Sequence, residues 1–193
     1  MLENLSKYHV LLASKSPRRR ELLAELRIPF DTVAIGGIDE SYPQNLHSAD
    51  VAQYISEKKG DAYRRIIHSN ELIITSDTIV VLGDRVLGKP RDHGEARDML
   101  RLLSGKVHKV ITGVTITTKD RRTSFTTETE VKFSDLSEDD INYYVDSFEP
   151  LDKAGAYGIQ EWIGCVGVEW IRGSFYNVMG LPVHRLYEEL RLF

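Results

Sequence analysis

The chain has 193 residues, 41% hydrophobic and 28% charged, an ordinary globular balance for one domain or two closely joined lobes. A formal net charge of −4 excludes a generally basic nucleic-acid binder and leaves only local cationic clusters, such as Arg18, Arg19 and Arg20, for small anions. The single cysteine, Cys165, excludes an intramolecular disulfide. With no run of about 18 apolar residues and no basic leader, the expected setting is a reducing cytoplasm, away from membranes.

In chain order, Tyr8 to Ala13 is a short apolar run that reads as a buried strand. Ser14-Lys15-Ser16-Pro17 breaks it and starts a helix, with Ser16 as N-cap and Pro17 at the first helical position. Leu22, Leu23 and Leu26 form that helix's apolar face, and Pro29 ends it. Val51, Ile55, Ala62 and Ile66 space as a second helix. Leu72 to Ile74 is a strand that stops at Ser76-Asp77-Thr78. Ile79 to Leu82 and Arg85 to Leu87 then form a hairpin around Gly83-Asp84.

Ala96, Met99, Leu100 and Leu103 mark a third helix, and Val107 to Thr118 and Ser124 to Phe133 read as long antiparallel strands. Ser137 begins a fourth helix with Glu138, Asp139 and Asp140 in its first turn. A glycine-rich loop leads to a strand near Cys165 to Ile171, where the thiol reads as buried, and a last helix runs from about Pro182 to Leu190. The alternation predicts an α/β fold with a mixed sheet, and the long hairpin suggests two lobes around a cleft.

Several segments carry groups suited to phosphate chemistry. Ser14 and Ser16 at a helix N-terminus, with Arg18 and Arg19 on its first turn, make a plausible phosphate cradle, although a capped helix with solvated arginines has the same pattern. Asp77 after an apolar strand could hold a divalent cation or orient a water, or simply cap a turn. Glu40, beyond Gly36-Gly37, supplies a second carboxylate, and the pair would suit magnesium or manganese. Lys89 in Gly88-Lys89-Pro90 could reach a phosphate. Gln160, at the end of the loop from Asp152, offers donors and an acceptor to a base edge. His108 reads as a structural hydrogen-bonding residue. The chain has neither GxxxxGK[ST] nor a GxGxxG after a strand, which disfavours P-loop and dinucleotide folds.

Taken together, five blocks in order resemble the Maf family of nucleoside triphosphate pyrophosphatases: LLASKSPRRRELL, SDTIVV, LSGKVHKVITG, DKAGAYGIQ and GSFYNVMGLP. The resemblance spans Leu11 to Pro182. It implies a two-lobed fold related to the inosine triphosphate pyrophosphatases, a site in the central cleft, a divalent cation and often a homodimer. It places the family's catalytic aspartate on Asp77 and its phosphate-binding block on Ser14, Ser16, Arg18 and Arg19. The acidic loop residue falls on Glu40 and the lysines on Lys58 and Lys89. Because Glu57-Lys58-Lys59-Gly60 lacks the usual lysine-alanine pair, the choice between Lys58 and Lys59 stays open. Arg18, Thr78 and Gln160 match the branch that resembles dTTP/UTP pyrophosphatases, with Thr78 and Gln160 reading the base. Ser76 stands where alanine is common and Phe175 where tyrosine is common. The implied reaction is attack at the α-phosphorus with release of pyrophosphate. The family name also carries an association with cell division, and a nucleotide-binding regulator without catalysis is the rival reading. Such a regulator would have no need of Asp77 and Glu40.

Overall fold

The computed structural model describes residues 2–34 and 36–193. Its strands are β1 (His9–Ala13), β2 (Asp31–Val33), β3 (Glu71–Leu82), β4 (Arg85–Leu87), β5 (Val107–Thr117), β6 (Arg122–Phe133) and β7 (Val168–Arg172). The α-helices are α1 (Pro17–Ala24), α2 (Val51–Arg64), α3 (His93–Leu103), α4 (Glu138–Phe148), α5 (Trp162–Gly167), α6 (Phe175–Met179) and α7 (Val183–Leu190). The strands follow the order β2-β1-β3-β5-β6-β7, with β4 paired to β3. β1 runs parallel to β2 and β3, while β3–β4 and β6–β7 are antiparallel, so the sheet is mixed as expected. No helix among the described residues is long and apolar enough to cross a membrane.

The chain divides into two compact units. The first comprises Met1–Asp77, Thr112–Thr127 and Gly180–Phe193, the second Thr78–Ile111 and Glu128–Met179. In the first unit, Leu11 pairs with Asp31 on one side and Ile73 on the other. A parallel strand flanked on both sides and covered on its faces is apolar almost throughout, which is why residues 10–12 and 72–74 are continuous apolar runs. In the second unit the core gathers Leu100 and Leu103 from α3, Ile141, Tyr144 and Val145 from α4, and Val131 and Phe133 from β6. Ser137 caps α4 with a capping box closed by Asp140.

Local expectations need correction at several places. Residues 72–74 and 79–82 belong to one continuous strand, so Asp77 lies within β3 and not at its end. The strand runs on through the polar triplet, tied beside it to α2 and α1: Thr75 Oγ1 donates to Ser56 O at 2.8 Å, and the Ser76 carbonyl accepts from Arg19 Nη1 at 3.0 Å. Helix α1 stops at Ala24, well before Pro29, and Arg27 turns the chain with φ of 55°. α2 ends at Arg64 and leaves Ile66 exposed. The expected strand over 165–171 starts as helix α5, and Cys165 is exposed rather than buried, because Ile163 and Gly167 supply the packed face of that turn.

His108 is structural, as its setting suggested. It is 1% exposed, and its Nε2 lies 2.7 Å from Tyr157 Oη. Burial pulls its pKa from an ordinary 6.5 to about 4. The unfolded chain therefore takes up this proton first, and stability is full above pH 6.5 and is lost as the pH falls toward 4. Urea titrations at pH 7 and pH 5 should show His108→Gln losing roughly 2 kcal/mol less stability than the parent over that step.

Candidate active site

In the first unit, local chemistry shapes the serine-containing turn that starts α1. At the end of β1, Ser14 Oγ accepts the Ser16 N–H at 3.1 Å, and Ser16 Oγ accepts the Arg19 N–H at 3.5 Å across the first turn of α1. Each accepting hydroxyl still has its own proton to donate. A pocket of about 300 Å³ opens beside this turn, lined by Ser14, Lys15, Ser16 and Arg20 on one side and by Thr32 and Val33 on the other.

Arg19 reaches beyond α1. Its Nε donates to Gly180 O at 2.9 Å and its Nη1 to Ser76 O at 3.0 Å. The forked guanidinium thus joins α1 to the peptide just before Asp77 and to the segment leading to α7. Burial lowers its pKa; Asp77 opposes that shift, Arg18 adds to it, and Glu40 opposes it. Both carboxylates are therefore close enough for their charge to be felt by Arg19.

Asp77 itself faces Lys59. The Lys59 ammonium donates to Asp77 Oδ1 at 2.8 Å and lies 3.0 Å from Glu40 Oε1. Both partners of the Lys59–Asp77 pair are largely buried, with 12% and 15% of their side chains exposed. Lys58, the residue named first from the sequence, turns aside. It donates to Asp39 Oδ2 at 2.8 Å and to Ser41 O at 3.0 Å. That hydrogen bond, with others from Ser41, holds the Asp39 carboxyl well below the usual carboxylate range. Two successive lysines thus take two successive acids. Helical spacing carried this signal: Lys59 is four residues after Ile55 and four before Tyr63, in the middle of the buried stripe of α2.

Gly60 explains how α2 comes so close. A Cβ there would meet Thr117 Oγ1 at 3.1 Å and Thr115 Cγ2 at 3.2 Å. Beside it, Ser56 Oγ and Thr115 Oγ1 are 2.9 Å apart, so hydroxyls hold the helix against β5 while Thr75 ties it to β3. The absent side chain at Gly60 makes room for these threonines.

The donor set also bears on metal binding. Two carboxylates converge on one cationic group, the Lys59 ammonium, and supply only oxygen donors. Among the described residues no group of three or more His, Cys, Asp or Glu could hold a metal ion. Such a pair fits magnesium or manganese shared with substrate phosphates, and does not fit an all-protein cage.

The second unit holds Thr78, Lys89 and Gln160. Thr78 is half-buried on β3, and Lys89 is exposed after β4. The Gly155 N–H donates to Gly88 O at 3.0 Å, which fastens the glycine-rich loop to the residue before Lys89. Gly155 has φ of +68° and sits where a Cβ would be 2.9 Å from Val80, so only glycine fits there. Gln160 is exposed at the loop's end, after a buried run from Gly155 to Ile159. The sequence did not single out Tyr144 or Glu161, which brace this loop. Their partnership spans 17 residues and has no local signature.

Comparison with known proteins bears on the family. The dTTP/UTP pyrophosphatase of Bacteroides thetaiotaomicron is 54% identical over 191 residues, 99% of each chain. That of Parabacteroides distasonis is 55% identical over 193 residues and covers both chains completely. That of Porphyromonas gingivalis W83 is 48% identical, covering all of this chain and 98% of its own. Among solved structures, the Staphylococcus aureus Ham1 protein aligns with 94% of this chain and 99% of its own, at a TM-score of 0.47 and 13% identity, a likeness too slight to carry an argument. The model of the Maf-like protein family matches residues 9–193, and with relatives this similar over their full length, the chain belongs to that family.

Proposed function

We propose that this protein is a nucleoside triphosphate pyrophosphatase that hydrolyses dTTP and UTP to the monophosphate and pyrophosphate. The observation that carries the reading is the convergence of Asp77 and Glu40 on Lys59, with Arg19 fixing the peptide before Asp77. Full-length relatives that bear the name dTTP/UTP pyrophosphatase support it.

In this reading the triphosphate oxygens lie against the N-terminus of α1, where backbone N–H groups, Ser14, Ser16 and Arg18 offer donors. Asp77 takes the proton of the attacking water as its oxygen bonds to the α-phosphorus. The bond to the bridging oxygen breaks, and pyrophosphate leaves against the cationic side chain of Lys59. Asp77 and Glu40 would hold a magnesium or manganese ion, which when bound would neutralise charge on the phosphates. Thr78 and Gln160 read the pyrimidine by paired hydrogen bonds.

The two neighbouring lysines test this assignment. Lys59→Met should lower kcat/KM by roughly a hundredfold, the scale of a lost charged contact to a transition state. Lys58→Met should stay within about threefold, because an exposed ion pair contributes little. Equal losses in steady-state assays would mean that Asp77 does not depend on Lys59. The function itself is tested by incubating the protein with a panel of pyrimidine and purine triphosphates plus magnesium or manganese. Monophosphate and pyrophosphate, formed fastest from dTTP and UTP, are expected; diphosphate and orthophosphate would refute the reading.

A further inference from the structure

The loop that ends in Gln160 rests on a polar network centred on the buried Tyr144 and Lys153, which no step of the hydrolysis uses. Tyr144 on α4 is wholly buried. Its hydroxyl donates to Glu161 Oε2 and accepts the Gly158 N–H at 2.9 Å. Burial first, and the Glu161 hydrogen bond second, raise the pKa of that hydroxyl well above its ordinary value, so it keeps the proton it donates. Glu161 Oε1 lies 3.1 Å from Lys153 Nζ, and the buried Lys153 ammonium also donates to Asp152 Oδ1 at 2.7 Å. Both ends of the 152–161 segment are thereby tied to α4 or to each other. The Glu161 N–H closes the last turn on Gly158 O at 3.0 Å.

A buried lysine and phenol joined to a part-buried carboxylate are a costly way to hold a loop if stability is the only gain, since apolar side chains of similar size would serve as well. What a satisfied polar network adds is a single geometry. Gln160 needs that, because an amide discriminates between bases only while its donors and acceptor stay in place. A loop free to shift by an ångström lets the same amide follow a purine edge as readily as a pyrimidine edge.

We propose that Tyr144, Glu161 and Lys153 are positioning residues that set the base selectivity exerted by Gln160. The proposal rests on the assignment of Gln160 to the pyrimidine made above. Tyr144→Phe removes at once the donor to Glu161 and the acceptor of the Gly158 N–H, leaving two groups without their partner. Glu161→Gln keeps the shape and removes the charge that faces Lys153.

The test is the ratio of kcat/KM for UTP over GTP in the parent, Gln160→Ala, Tyr144→Phe and Glu161→Gln, with thermal midpoints measured alongside. Gln160→Ala should collapse the ratio. Tyr144→Phe and Glu161→Gln should each lower it by roughly tenfold, the scale of one lost hydrogen bond to a charged group, mainly by improving GTP turnover relative to UTP. If Tyr144→Phe does not fold, Glu161→Gln carries the comparison. A collapsed ratio in Gln160→Ala with unchanged ratios and lowered midpoints in the other two would overturn the proposal and leave the role of Gln160 standing. An unchanged ratio in Gln160→Ala would remove that role, and the proposal with it.

Discussion

Replacing Asp77 by asparagine should abolish nearly all pyrophosphate release, by about 10³-fold or more, while the protein stays folded. The two side chains have the same shape, and the asparagine carbonyl can still accept the hydrogen bond that Lys59 gives Asp77 at 2.8 Å. Glu40 remains beside the same ammonium, so no cation is left without a counter-charge. Arg19 holds the backbone of Ser76 and is untouched by the change. What disappears is the negative charge and the capacity to take a proton from water. The thermal midpoint should fall by no more than about 4 °C, the equivalent of roughly 1 kcal/mol in a chain of this length. Turnover within tenfold of the parent would remove Asp77 from the reaction.

Gly113→Ala should cause the largest loss of stability among single methyl additions in the first unit. A Cβ at this position of β5 would lie 2.4 Å from the carbonyl carbon and oxygen of Ala52 and from the amide nitrogen of Gln53 in α2. All three atoms are helix backbone, and Ala52 is fully buried, so no flexible side chain can give way. Forced overpacking of this kind costs about 3 kcal/mol or more, which corresponds to a midpoint lower by about 6–12 °C. α2 also carries Lys59, so displacement of the helix should lower kcat in the fraction that remains folded. Gly83→Ala is the control. Its φ of +60° strains an alanine, but nothing lies within 4 Å, and its cost should be near 1 kcal/mol. Equal midpoints for the two variants would show that α2 and β5 are not packed as described.

Elements whose signals are local could be read from the sequence. Ser16 and Pro17 start α1 by capping chemistry that needs only neighbouring residues, and Ser137 does the same for α4. The apolar runs of β1 and β3 were equally plain. The break expected at Ser76-Asp77-Thr78 was an error of a different kind. Hydropathy falls there, but the strand continues because Thr75 bonds to α2 and the Ser76 carbonyl is held by Arg19. Those partners are distant in sequence; the Arg19–Gly180 contact joins residues 161 positions apart. No periodicity reveals such a bond. α5 has six residues, too few to display a helical period, and so its apolar run passed for a strand and Cys165 for a core thiol. Lys59 was legible in principle from the buried stripe of α2. The block-by-block resemblance, which lacked the usual alanine, left it tied with Lys58.

In the proposed reaction water attacks the α-phosphorus next to Asp77. Hydrolysis of dTTP in water enriched in oxygen-18, followed by mass analysis of both products, tests it most directly. One heavy oxygen is expected in dTMP and none in the released pyrophosphate. Label in the pyrophosphate would place the attack on the β-phosphorus and contradict it.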